Sequence, residues 1–366
     1  MTVPNTRRIE NAILDIVCQG KKEALTTLFQ YGLHILPVLK NHLSNDMPMD
    51  KVEKYERIIK DVMRNHLSGS VTGEKARELA QFQKDIGLLF KYKSYTIKAS
   101  SPLGYSLFFQ NAGEGFSFQQ HVTHKTEVFH ILKVHSGGFV FICDFRDWKK
   151  DYDRELFSAW LAGQPEDRYE RFRFRPEPGD LFVIDRLRLV HTVMGCTLEE
   201  YATVSTDMVD RLHDQNASKP IPALFNRQYA EDRLRTVAMP RSTRLIEIGS
   251  SGNTIRKRPH RTFPWGQSTR LSSTPVISTL YSIVPQKTSD LQFDEQNAAS
   301  IYVSQGQGRV LIGTLQEIQK LTPPSIPVGA GDLLMIPEGI YYGFLNEGSE
   351  PMRISEQRIK INIAFQ

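Results

Sequence analysis

Apolar residues recur at helical spacing up to about residue 92 and in alternation through much of the rest. Ile9, Ile13, Leu14, Ile16 and Val17 mark a first helix ending near Gly20. Ala24, Leu25, Leu28, Phe29, Leu33, Leu36 and Leu39 mark a second stretch from about Lys21 to His42, which Pro37 is expected to kink or break. Asp50 suits the N-cap of a third helix reaching about His66. Thr72 suits that of a fourth running to about Phe90, with Glu74 in its first turn. The pattern predicts a small antiparallel helical bundle in which His34, His42 and His66 are ordinary core or surface histidines.

From Tyr92 onward the period changes to two. Tyr95–Lys98, Tyr105–Phe109, Phe116–Gln119, Val128–Leu132 and Gly138–Cys143 read as strands. A charged, Trp-containing segment over 147–170 interrupts them, with room for a short helix. Strands resume at 169–174, 180–184 and 201–206; Asp207–Asp214 reads as a turn leaving the sheet, and Arg244–Gly249 as a returning strand. Short strands with frequent turn signals predict an antiparallel sandwich or barrel. From about Val276 the pattern appears again. Pro178-Gly179-Asp180-Leu-Phe-Val-Ile matches Ala330-Gly331-Asp332-Leu-Leu-Met-Ile. The spacing is too long for a solenoid repeat and implies two copies of one β domain. The expected organisation is a helical domain at 1–95, a first β domain at 96–215, a connecting segment at 216–270 and a second β domain at 271–366.

Composition narrows the class. The 366 residues are 40% hydrophobic and 24% charged, as in an ordinary globular protein. No run approaches the about 18 apolar residues of a membrane-spanning helix, and the first residues carry no apolar segment of the signal-peptide kind. Three widely spaced cysteines, Cys18, Cys143 and Cys196, argue against a disulfide framework and fit a reducing cytoplasm. A net charge of +5 is modest, and its densest cluster, Arg256-Lys257-Arg258-Pro-His260-Arg261, is short and lacks interleaved aromatics. It reads as a solvated linker, so no nucleic-acid partner and no membrane partner is expected. A small-molecule substrate is expected, and a homodimer stays open.

The candidate chemistry lies between Gly115 and His191. His121, His124, His130 and His135 sit close together, with Glu127 among them, and His191 follows the Pro178-Gly179-Asp180 turn. Imidazole and carboxylate together suit borderline metals such as Zn, Fe(II) and Mn. Strand alternation places His121, Thr123, Lys125 and Glu127 on one face and His124 on the other unless a bulge intervenes. His121 and His124 therefore both remain candidates, while His130 and His135 read as structural. No histidine follows His260, so the second β domain lacks the residues for a three-histidine site.

Gln120-His121-Val-Thr-His124-Lys125-Thr-Glu127, then Gly137, Pro178-Gly179-Asp180 and His191, resemble the two signature motifs of the cupin superfamily. The resemblance covers roughly 100–210 and, more faintly, 275–360. It implies a mainly β chain of two cupin-like jelly-roll β-barrels preceded by a small α-helical domain: a bicupin. It further implies one divalent metal ion (Zn, Mn or Fe) held in the first barrel by a set drawn from His121, His124, Glu127 and His191. The usual first motif spaces its histidines as His-x-His with the glutamate about five residues on, and this chain departs from that spacing. The segment after His191 is similar to that of sugar-handling cupins, which implies a sugar or sugar-phosphate isomerase or epimerase. Lys125 and Glu200 are then the candidates for proton transfer, with Glu199 and Asp207 as further carboxylates. Two histidines and a carboxylate suit a non-haem Fe(II) oxygenase equally well, and the irregular first motif leaves room for a non-catalytic binding or scaffold protein.

Overall fold

The computed structural model describes residues 5–360 apart from 44–46, 94–95, 102–103, 124, 185–187, 204–208, 216–223, 226, 238–239, 241–243, 250–251, 258–259 and 273–275. His124 and Asp207 therefore lie outside the described residues. Five helices open the chain: α1 (Thr6–Gln19), α2 (Leu25–Tyr31), α3 (Leu36–His42), α4 (Met49–His66) and α5 (Gly73–Ile86). The Asn5 side chain accepts from Arg8 N to start α1, and Gly20 ends it in the left-handed region. Pro37 does not break a helix. It sits in the first turn of α3, where its missing N–H has no intrahelical partner to lose, and Gly32 does the breaking upstream. Thr72 caps α5 as expected, but Gly87 ends it before Leu89, and Phe90 belongs to the strand Leu89–Lys93.

The helices do not form an independent bundle. Their apolar faces share one core with Ala298, Met335 and Ile359 of the second β domain. Arg77 Nη1 donates to Ile312 O at 3.2 Å and Glu317 Oε1 at 3.1 Å, and Lys84 Nζ to Pro327 O at 2.6 Å. Toward the first β domain, Glu56 of α4 meets Lys91 at 2.8 Å and its own helix's Lys60 at 3.3 Å. No described helix is long and apolar enough to cross a membrane.

The first β domain is organised by one long antiparallel pair. Glu127–Asp144 runs against Leu189–Ala202 from Glu127 opposite Ala202 to Asp144 opposite Leu189. Every residue of Leu189–Ala202 is buried. The pair is interrupted between Val134 and Phe139. A Cβ on Gly138 there would stand 2.7 Å from Gly195 O, so the close backbone approach requires glycine. Three helices, not one, fill the charged insertion: α6 (Phe145–Asp151), α7 (Arg154–Leu161) and α8 (Asp167–Glu170). Asp144 and Asp153 cap the first two. Trp148, Phe157, Trp160 and Tyr169 form an aromatic core with Phe118 and Phe141. Phe118 meets Phe157 edge-on at 4.8 Å.

Two sequence expectations change here. Residues 209–213 do not turn away. Val209–His213 is a strand that pairs antiparallel with Phe118–His121, Val209 opposite His121, and supplies the partners that strand's edge needs. Arg244–Gly249 does form a strand, but it runs parallel to Asp180–Ile184 and turns back into Gly252–Lys257, so Arg256 and Lys257 lie in a hairpin.

The second β domain holds two sheets, one built on Ile277–Ile283, Ala298–Gln305, Leu333–Ile336 and Met352–Ile359, the other on Gln307–Gly313, Ser325–Gly329 and Tyr341–Asn346. The repeated turn is the same structure twice. Gly179 and Gly331 have φ of 96° and 94°. Asp180 Oδ2 accepts from Glu177 N, and Asp332 Oδ2 from Gly329 N, both at 2.8 Å. Tyr105 and Tyr302 stack across the domains at 5.5 Å, and Gln357 Nε2 donates to Ala202 O. The fold is thus a helical region followed by two related β-sheet domains.

The Glu56–Lys91 contact predicts a pH dependence. Burial pushes the Glu56 carboxyl up, but the Lys91 and Lys60 ammonium groups outweigh it and bring it from 4.5 to about 2. A depressed carboxyl stabilises the fold above its unfolded value, and that contribution is lost as pH falls from about 4.5 toward about 2. Glu56→Gln is expected to cost about 2–3 kcal/mol at neutral pH. The deficit should shrink as pH drops through that window in thermal denaturation. A deficit independent of pH would show that the ion pair contributes none of it.

Candidate metal centre

Three strands, with a bend between the first two, build the centre. His121 ends the strand Phe118–His121, whose register is set by Phe118 in the aromatic core and by Gln119 opposite His191. The chain bends at Val122 and Thr123, and Glu127 opens the next strand. His121 and Glu127 therefore do not belong to one alternating strand, and the face argument of the sequence does not apply to them. The long pairing then carries His191 to Ile142 on the partner strand.

The donor atoms of His121, Glu127 and His191 all lie within 4.8 Å of one another, and all three residues are buried. Glu127 Oε2 is 3.2 Å from His121 Nε2 and 3.2 Å from His191 Nε2. The two imidazoles stack with centroids 5.1 Å apart. His191 Nδ1 lies 3.0 Å from Leu189 O, so it carries the proton and leaves Nε2 as a bare lone pair. His191 Nε2 and Glu127 Oε2 are buried without a hydrogen bond in the protein. A divalent cation satisfies both, and two imidazoles with one carboxylate are a donor set for Zn, Mn or Fe(II). Among the described residues this is the one such group of three.

Lys125 and Glu200 adjoin it. Lys125 Nζ is 2.6 Å from Glu127 Oε1 and 3.7 Å from Glu200 Oε1, with all three side chains buried. Burial pushes the Glu127 carboxyl up, but the Lys125 ammonium outweighs it and holds it well below the usual carboxylate range. Glu199 faces the opposite way from Glu200. It accepts from Tyr105 and Tyr201 at 2.7 Å each and meets His130 Nδ1 at 2.8 Å. Those contacts tie His130 and Glu199 into the core rather than into the metal centre.

A cleft of about 480 Å³ opens beside His121 and Gln120, bounded by Phe145, Arg146, Lys149 and Arg188. Sequence reasoning missed these four. Arg188 was within reach, three residues before His191. Phe145, Arg146 and Lys149 become neighbours only because α6 starts where the strand opposite His191 ends.

The corresponding positions of the second β domain carry different residues. Glu127 pairs with Ile184, four residues beyond Asp180; at the matching place Ala299 pairs with Ile336, four beyond Asp332. His191 lies eleven residues beyond Asp180, and Gly343 eleven beyond Asp332. A Cβ on Gly343 would approach Leu291 Cδ2 at 3.0 Å, so Leu291 occupies the space. Nearby Glu356 is satisfied from within by Arg358, Tyr281 and Tyr342. Alanine and glycine thus stand where the first domain has a glutamate and a histidine.

His191→Ala is expected to reduce bound metal from stoichiometric to trace, while His130→Gln retains it, by elemental analysis of protein purified without added metal. Full metal content in His191→Ala would place the metal elsewhere.

No family model and no curated protein matches the chain. Among solved structures it is similar to oxalate decarboxylase from Bacillus subtilis at pH 4.6, at 14% identity over 75% of this chain and 76% of that one, with a TM-score of 0.45. The Lactobacillus farciminis oxalate decarboxylase formate complex matches at 13% identity, 75% and 84% coverage and a TM-score of 0.45. Vicilin from Corylus avellana matches at 13% identity, 75% and 84% coverage and a TM-score of 0.44. Two β domains that repeat one Gly-Asp turn, with a His–Glu–His set in the first, are the arrangement that the motif resemblance to cupins implies.

Proposed function

We propose that the chain is a metal-dependent isomerase or epimerase of a sugar or sugar phosphate, with its centre in the first of two jelly-roll domains. The observation that carries this is the buried Lys125–Glu200 pair beside the metal ligands, with Lys125 bridging Glu127 and Glu200. Aldose–ketose interconversion moves one proton between adjacent carbons and a second between their two oxygens, and it needs a base beside a polarised carbonyl. His121, Glu127 and His191 would hold the cation, which when bound polarises the substrate's carbonyl and hydroxyl oxygens. Glu200 takes the proton from the carbon next to the carbonyl and returns it to the neighbouring carbon. The Lys125 ammonium donates to Glu127 and keeps it anionic, and it offers the buried Glu200 a countercharge.

The same two histidines and carboxylate favour a second reading, an Fe(II)-dependent oxygenase, because a three-ligand set leaves coordination positions open. The two readings differ in whether O₂ is consumed.

In deuterated water under argon, the Zn- or Mn-loaded chain should exchange a carbon-bound proton of a converted sugar or sugar phosphate, followed by NMR. Glu200→Gln should slow that exchange by about 10²–10⁴-fold with unchanged metal content. O₂ uptake with Fe(II) and no anaerobic exchange would replace this proposal with the oxygenase. Stoichiometric metal with neither activity would leave a binding protein.

A further inference from the structure

The cleft beside the metal centre has a feature the proposed chemistry does not use. Its rim carries three exposed cations, Arg146, Lys149 and Arg188, and no carboxylate is among its lining residues. Among the described residues none of the three forms an ion pair with an acid. Backbone geometry holds them together. Asp144 ends its strand opposite Leu189, and Phe145 N donates to Arg188 O at 2.8 Å, which sets Arg188 against the start of α6. Arg146 and Lys149 are three residues apart on α6 and share a face. Lys149 Nζ lies over the Phe145 ring at 4.8 Å, leaning along the cleft wall. Arg188 itself has φ 70°, a conformation that long side chains rarely adopt.

A patch of like charge raises its own energy unless an anion relieves it. Two guanidinium groups and an ammonium around one opening match a doubly charged tetrahedral anion, which the arginines contact through paired N–H groups. His121 lines the same cleft. A ligand anchored at the rim therefore extends toward the metal ligands, and the volume suits a small molecule rather than a polymer.

We infer that the substrate of this centre carries a phosphate monoester, bound at the cleft rim by Arg146, Lys149 and Arg188. This rests on the proposed function for the rest of the substrate, whereas the anion site stands on its own residues.

Calorimetric titration of the full, metal-loaded chain with inorganic phosphate, a hexose phosphate and the parent hexose tests the inference. Both phosphate probes should bind, with an affinity that falls as ionic strength rises. The parent hexose should bind about tenfold more weakly or worse than its phosphate. Arg146→Ala/Lys149→Ala and Arg188→Ala should each weaken both phosphate probes by about tenfold or more, with circular dichroism and metal content unchanged. Equal phosphate affinity in wild type and variants would overturn the assignment. So would binding of malonate without binding of phosphate, or no binding of either phosphate probe. Rim-dependent phosphate binding in a chain that takes up no metal would keep the anion site and remove the metal chemistry. A metal-loaded chain that exchanges substrate protons but ignores phosphate would do the reverse.

Discussion

A carboxylate inside a β domain must be compensated, and the Glu127 carboxylate at 1% exposure is the group around which the first domain is arranged. Lys125 answers one of its oxygens at 2.6 Å. The other faces His121 and His191, and Leu189 O turns His191 so that a lone pair points back at it. Two negative oxygens are thus divided between an internal ammonium and a position suited to a cation. Removing either side leaves a buried charge unanswered. The surrounding structure serves this division: Phe118 anchors the His121 strand, the all-buried strand Leu189–Ala202 carries His191, and helices α6–α8 cover the aromatic core that holds them.

The two β domains separate what the fold requires from what the chemistry requires. Both keep the glycine with positive φ and the aspartate that closes its turn, because backbone geometry demands them. The first keeps donor residues at the places where the strands converge. In the second, Ala299 and Gly343 stand at two of those places, and Glu356 is neutralised by Arg358 within the protein. The helical region packs on this second domain, so its copy of the fold serves as a platform.

Much of this was legible in the residues. The change of hydrophobic period near Tyr92 and the repeated Gly-Asp turn reflect local rules, and both correspond to features of the fold. What was not legible depended on long-range pairing. A strand of 209–213 exists because the edge of Phe118–His121 is open beside it, not because its own residues demand one. Pro37 starts a helix because Gly32 had already ended the previous one. His121 meets Glu127 because the chain bends between them; on one unbroken strand the two would share a face but stand about 20 Å apart. His124, the other candidate ligand from the motif, lies outside the described residues.

The central claim is that one divalent cation sits between His121, Glu127 and His191. X-ray diffraction from crystals of the full chain, recorded on both sides of the absorption edge of the bound metal, tests it directly. The account predicts one anomalous peak, bounded by the two imidazoles and Glu127 Oε2 and lying within coordination distance of His191 Nε2. A peak in the second β domain, or none between these three residues in metal-containing crystals, would contradict it.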